Sequence, residues 1–305
     1  VADSEAYLDR ALRHYGEPFG DSSALPTLMV CEKAAQSVKV TLCGDGGDEL
    51  LAGYAFFHLG LRDRWGGGTL KRRHHWARAI GSLRQGRPQE NAWARFTRNL
   101  SAAISPLQRT LVYEHYCREQ ERPTLYQMDF LRQVQSSRQE YQASLLDETD
   151  AGTYPLNQLL AIHYAGYFAN DLLVKTDIAS MAYGLEVRAP LLDHELMEFA
   201  ATLGPELKYR QGVGKYLLKK VARKYVPPDL LYRPKRGFSV PVAEWMRSHF
   251  STQIRDMVAT TGHPLWRYLN SRTVSRWLVQ HQAHRINHGK RLWLILLLGL
   301  WLDRA

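Results

Sequence analysis

The stretch Thr41–Tyr54, TLCGDGGDELLAGY, concentrates three glycines and three acids in the six residues 44–49. It continues VKVTLC (38–43), a β-branched alternation that reads as a short strand, and it leads into LLAGYAFFHLGL (50–61), which reads as a helix. Strand, glycine-rich loop and helix form half of a parallel α/β unit, and ligands in such sheets bind at the carboxyl ends of the strands. Upstream, ALPTLMVCEKAAQ (24–36) has helical spacing with Leu25, Leu28, Met29 and Cys31 apolar.

The loop has a physical logic. Gly44, Gly46 and Gly47 permit positive φ and let backbone N–H groups approach a ligand closely. A helix starting near Asp48 would turn its positive end to the same place, which favours an anion. Carboxylates beside a phosphate repel it unless a divalent cation lies between them. The pattern therefore fits a magnesium-bound nucleotide, with Asp45 or Asp48 facing the metal or the nucleophile. A plainer reading is also open, in which Asp48 caps the helix and the glycines make the turn. No GK[ST] follows, so this is not a Walker A loop.

A chain of 305 residues, 45% hydrophobic and 23% charged, has the composition of a globular protein able to bury a substantial core. The net charge of +10 suits anionic partners such as nucleotides, nucleic acid or an anionic membrane. Three cysteines, Cys31, Cys43 and Cys117, without paired spacing, argue against a disulfide framework or a zinc site and point to a reducing cytoplasm. The longest apolar run, Leu292–Leu302, is too short to span a bilayer and reads as a buried helix.

Residues 62–98 carry ten Lys/Arg against two acids, with Trp65, Trp76 and Trp93 interleaved. This reads as a helical insertion with a solvated basic face rather than a nucleic-acid or membrane surface. Residues 100–150 read as helices with polar loops. Residues 156–203 and 213–226 are strongly helical in pattern, and Pro227-Pro228 closes the second segment. Between 262 and 302 two more helices are expected, anchored by Trp266, Trp277, Trp293 and Trp301. The expected fold is α/β but helix-dominated: an α/β portion with the glycine–acid loop over 1–60, a basic helical insertion over 61–150 and a helical body over 151–305.

Two further stretches bear on chemistry. In NDLLVKTDIASMAYGLEVRAPLLDHELMEFA (170–200), Asp171 and Lys175 have the spacing of an i,i+4 ion pair and Asp177 lies on another face. Gly184 and Pro190 bracket Glu186 and Arg188 in a short non-helical link, and Asp193 caps the next helix. In GKYLLKKVARKYVPPDLLYRPKRGFSVPVAEWM (214–246), Arg233, Lys235 and Arg236 lie on a loop stiffened by Pro234 and Pro241. Such a loop suits a site where negative charge accumulates during phosphoryl or nucleotidyl transfer.

Taken together, EPFGDSSALPT (17–27), GDGGDELLAGY (44–54), KTDIASMAYGLEVRAPLLDHEL (175–196), GKYLLKKV (214–221) and RPKRGFSVP (233–241) resemble the C-terminal synthetase domain of glutamine-dependent asparagine synthetases, in order and approximate spacing. The resemblance implies an ATP-pyrophosphatase sheet with a large helical extension. It also implies ATP-dependent adenylation of the aspartate side chain, followed by attack of ammonia delivered from an N-terminal glutaminase domain. By the same resemblance Cys43, Gly44, Gly46 and Gly47 would contact ATP. Asp45 would serve the intermediate and the incoming ammonia, Asp48 and Asp21 would lie by magnesium, and Lys235 would stabilise charge on phosphorus. Lys175, Asp177, Glu186 and Arg188 would line the substrate side.

Two departures accompany it. No SGGxDS loop occurs in this sequence and no glutaminase-like segment precedes the match, so the chain by itself is expected to be inactive. A homodimer is left open. The same scaffold is shared by β-lactam synthetases and related amidotransferases that adenylate other carboxylates, and by a conceivable noncatalytic partner subunit.

Overall fold

The computed structural model describes residues 4–54, 57, 117, 121–147, 154–233 and 240–304. The basic stretch 62–98 and Pro234–Ser239, with Lys235, lie outside the described residues. The chain runs through α1 (Ser4–Tyr15), α2 (Ala24–Ala35), β1 (Val40–Leu42), α3 (Gly47–Leu50), α4 (Met128–Asp147) and α5 (Pro155–His163). A π-helical segment, Tyr164–Leu173, leads into α6 (Val174–Met181), β2 (Glu186–Arg188) and α7 (His194–Thr202). A hairpin of β3 (Tyr209–Arg210) and β4 (Val213–Gly214) precedes α8 (Tyr216–Ala222), α9 (Ser251–Ala259), α10 (Ser271–Gln282) and α11 (Gly289–Leu302), with single-turn helices between them.

The fold is helix-rich α/β. β1 and β2 pair in parallel, Val40 opposite Glu186 and Leu42 opposite Arg188. The hairpin is antiparallel, and Gln211 and Gly212 at its turn both have positive φ, the geometry of a two-residue turn matched to strand twist.

The core follows from helical patterning. α1 buries Leu8, Ala11, Leu12 and Tyr15 at i, i+3, i+4 and i+7, and α2 buries Ala24, Leu25, Leu28 and Cys31. These faces close against α11, which is apolar nearly all round and buries Leu292, Trp293, Ile295, Leu296 and Leu297. One contiguous core thus joins residues near both ends of the chain. Gly289 opens α11 where a Cβ would sit 2.6 Å from the Ala243 Cα, so only glycine permits that approach. Among the described residues no helix is long and apolar enough to cross a membrane. Of the four expected tryptophan anchors, Trp277 and Trp293 are buried. Trp266 and Trp301 are partly exposed and donate indole N–H bonds to Thr260 O and Gly16 O.

Three expectations require correction. The helix expected through residues 51–54 stops at Leu50, because Ala52 takes φ +54° and the Leu51 carbonyl is drawn off to accept from Lys215 N at 2.8 Å. The α-helical pattern expected over 156–203 is broken by the π-helical segment, while β2 occupies the non-helical link expected around Glu186 and Arg188. Asp171 and Lys175 do not form the expected i,i+4 pair. The i→i+5 bonding of the segment that carries Asp171 alters the angular spacing, and Lys175 reaches instead to Asp21 Oδ2 at 2.6 Å.

Candidate active site

The glycine–acid loop leaves the carboxyl end of β1 and is tied to the neighbouring strand by Cys43 N–H donating to Arg188 O at 2.9 Å. Gly46 turns the chain at φ +92°, with Leu191 O and the Leu192 side chain where a Cβ would go. Glycine is the residue that meets both constraints. Gly44 is exposed, with open space around it.

α3 is one turn long and aligns few peptide dipoles, so the positive end expected at the loop is weak. A side chain supplies the positive charge instead. Lys215 Nζ lies 2.9 Å from Asp48 Oδ1, with both side chains partly buried. Lys215 is held there by its own left-handed backbone, φ +54°, and by the bond from its N–H to Leu51 O. A Cβ on Gly53 would collide with the Asp48 carboxylate and the Lys215 stem. One turn further along α8, Lys219 faces the same region. Burial and the Lys215 charge lower its pKa, and Asp48 opposes that shift.

Below the loop, buried Glu49 accepts from Tyr54 OH at 2.6 Å. Burial, with Glu49 beside it, pushes the Tyr54 phenol up. The Tyr54 and Phe57 rings meet His163, whose imidazole burial holds neutral by lowering its pKa to about 4.

Asp45 projects toward α6, where Thr176 Oγ1 donates to its Oδ2 at 3.2 Å. Burial raises the pKa of the adjacent Cys43 thiol, and the Asp45 charge adds to that rise. Preceding Thr176 in the same helix, Lys175 is buried against Asp21 and donates also to Ser23 Oγ at 2.8 Å. Asp21 accepts further from Ser23 N at 2.9 Å and Ser23 Oγ at 2.6 Å, so both its oxygens are engaged internally. The Lys175 charge and these hydrogen bonds outweigh burial and keep Asp21 ionised. Asp171, on the other side of the cluster, is pushed up to about 7, first by burial and then by the Asp21 charge.

The structure thus brings Cys43, Gly44, Asp45, Gly46, Gly47 and Asp48 together around one loop, and joins Lys175 and Asp21 to it through α6. Glu186 and Arg188 lie on the adjacent strand, exposed and paired with each other at 2.7 Å. Asp177 is exposed. Lys215, Lys219, Thr176 and Ser23 were not singled out from the sequence. The i,i+4 spacing of Lys215 and Lys219 was the available signal for the first two; the hydroxyls carry no pattern of their own.

A family model described as asparagine synthase matches residues 1–303. The chain belongs to the asparagine synthase family. It is similar to asparagine synthetase [glutamine-hydrolyzing] 1 of Bacillus subtilis, 26% identical over 314 residues that cover 99% of this chain and 46% of that protein. A putative asparagine synthetase [glutamine-hydrolyzing] of Mycobacterium tuberculosis is 29% identical over 309 residues, 97% of this chain and 44% of the relative. The human asparagine synthetase [glutamine-hydrolyzing] matches over a shorter stretch, 32% identical across 26% of this chain. The chain therefore spans less than half the length of the bacterial relatives it matches along nearly its whole extent.

Proposed function

We propose that this chain is the synthetase part of an amide-forming ligase that uses ATP to adenylate the side-chain carboxylate of aspartate and then joins it to ammonia. The observation that carries the reading is the glycine–acid loop at the end of β1, closed by the Asp48–Lys215 pair. A carboxylate and an ammonium side by side match the two kinds of charge in a magnesium-bound polyphosphate. Magnesium held jointly with substrate phosphates needs only one or two protein carboxylates, and Asp48 fits that part. Bound there, the ion would neutralise phosphate charge. Asp21, engaged with Lys175 and Ser23, is better suited to anchoring than to ligating a metal.

In this reading the backbone of residues 43–47 binds the nucleotide, and Lys215 and Lys219 balance its phosphates together with Lys235. Asp45 orients ammonia and accepts its proton as the C–N bond forms, leaving AMP as the displaced group. Arg188, Glu186 and Asp177 belong to the substrate side. Glutamine as the nitrogen source, through a glutaminase domain, is proposed because the bacterial relatives are named as glutamine-hydrolyzing asparagine synthetases. Three cysteines without paired spacing in the sequence support a cytoplasmic location.

The test is pyrophosphate release by the complete polypeptide with ammonia and a panel of carboxylic acids. Stimulation by aspartate with formation of asparagine is expected, with loss of turnover in Asp45→Asn and Asp48→Asn. Stimulation by another acid but not aspartate would move the protein to a different ligase of the same scaffold.

A further inference from the structure

We propose that Thr176 is the positioning residue for Asp45, using α6 as a rigid arm whose neighbouring side chain, Lys175, is locked to the loop at residues 17–23. The inference rests on the reading of Asp45 given above.

Successive residues of a helix project about 100° apart, so Lys175 and Thr176 address different neighbours from one turn. Lys175 is fixed on three sides. Its ammonium donates to Asp21 at 2.6 Å and to Ser23 at 2.8 Å, and its carbonyl accepts from Tyr15 OH at 3.0 Å. Thr176 inherits that placement and donates to Asp45 at 3.2 Å.

Asp45 has need of such a partner. Its chain neighbours, Gly44 with open space around it and Gly46 in the left-handed region, bring no side chains to hold its carboxylate. A helical threonine hydroxyl can satisfy itself on a carbonyl one turn back. Here it is turned to a carboxylate on another element instead. A group that must meet an incoming nucleophile gains from being held in the reactive orientation before binding.

The test compares Thr176→Val, which keeps shape and loses the donor, with Thr176→Ser, which keeps the donor, both in the protein expressed from its complete reading frame. Asp45→Asn is the control. With ammonia and aspartate, Thr176→Val is expected to lower kcat about 10- to 100-fold with little change in KM for ATP. Thr176→Ser should recover most of the loss. Wild-type kcat in Thr176→Val, or equal damage in both variants, would overturn the proposal while leaving the functional reading intact. If Asp45→Asn turns over normally, or the wild type lacks aspartate-stimulated turnover, it is the functional reading that fails. Crystal structures of wild type and Thr176→Val then decide the positioning alone: an Asp45 carboxylate rotated away upholds it, and one left in place overturns it.

Discussion

Around Trp293 and Leu28 large side chains are closed off from solvent and packed from helices near both ends of the chain, and the backbone there follows ordinary helical geometry. Around Asp45 and Asp48 the chain does the reverse. It takes positive φ at Gly46, Ala52 and Lys215, shortens its helix to one turn and places charged groups in partial burial. The first region gains stability from area removed from water. In the second, the left-handed conformations of Ala52 and Lys215 each cost on the order of 1–3 kcal/mol and persist only because neighbours enforce them. α6 joins the two regions, through Ala179 on the core side and Thr176 on the loop side. A rigid body thus lends its order to a strained loop.

The largest test of this contrast is Trp293→Ala. It removes a side chain 2% exposed and its N–H bond to Gly20 O, and should cost about 3–5 kcal/mol in urea unfolding of the complete protein. A loss near zero would mean that the core does not carry the stability. Gly53→Ala comes next. Its Cβ must displace the Asp48–Lys215 pair, so stability should fall by about 1–3 kcal/mol while pyrophosphate release falls by far more than in Trp293→Ala scored on its folded fraction. Equal effects on both properties would erase the distinction between the regions.

Asp171→Asn probes the seam between them through pH. From the unfolded value of 3.8 up to about 7 the unfolded chain has lost a proton that folded Asp171 retains, so this residue makes stability fall as pH rises through that window. The variant carries no such loss. Its advantage over wild type in Tm should therefore widen from pH 4.5 to pH 7.5, by the equivalent of roughly 1–2 kcal/mol once the coupling to Asp21 is discounted. His163 and His288, both lowered to about 4 by burial, act with the opposite sign, losing stability as pH falls below 6.5. They are common to both proteins and cancel in the difference. A flat difference would place Asp171 outside the coupled cluster. The smallest effect belongs to Asp193→Ala, which removes an exposed cap on Glu195 N and Leu196 N and should cost about 1 kcal/mol by thermal unfolding.

Much of the candidate site's local geometry was legible because it depends on neighbouring residues. The spacing of Gly44, Gly46 and Gly47 against Asp45 and Asp48 specified a tight turn at a strand end, and Asp193 announced its helix. Lys215 and Thr176 were not legible in that way. Lys215 meets Asp48 only because the chain returns from 167 residues later, and a hydroxyl in a helix gives no hint of which carboxylate it will face. The Asp171–Lys175 spacing misled for a related reason: i,i+4 logic assumes α-helical geometry, and the residue lies in a π-helical segment.

The sequence by itself determined the helical faces, the strand before the loop, the turn chemistry of residues 44–47 and membership of a family with five collinear motifs. These rest on periodicity, on backbone freedom at glycine and on short-range spacing, all properties of neighbouring residues. Only the tertiary structure decided that Asp21 pairs with Lys175, that Lys215 supplies the positive charge expected of a helix end, and that Thr176 holds Asp45. Those outcomes depend on which partly buried polar groups are brought within bonding distance. The long-range packing of α1, α2, α6 and α11 fixes that choice, because a charge or carboxylate shielded from water must find its partner among whatever the fold places beside it.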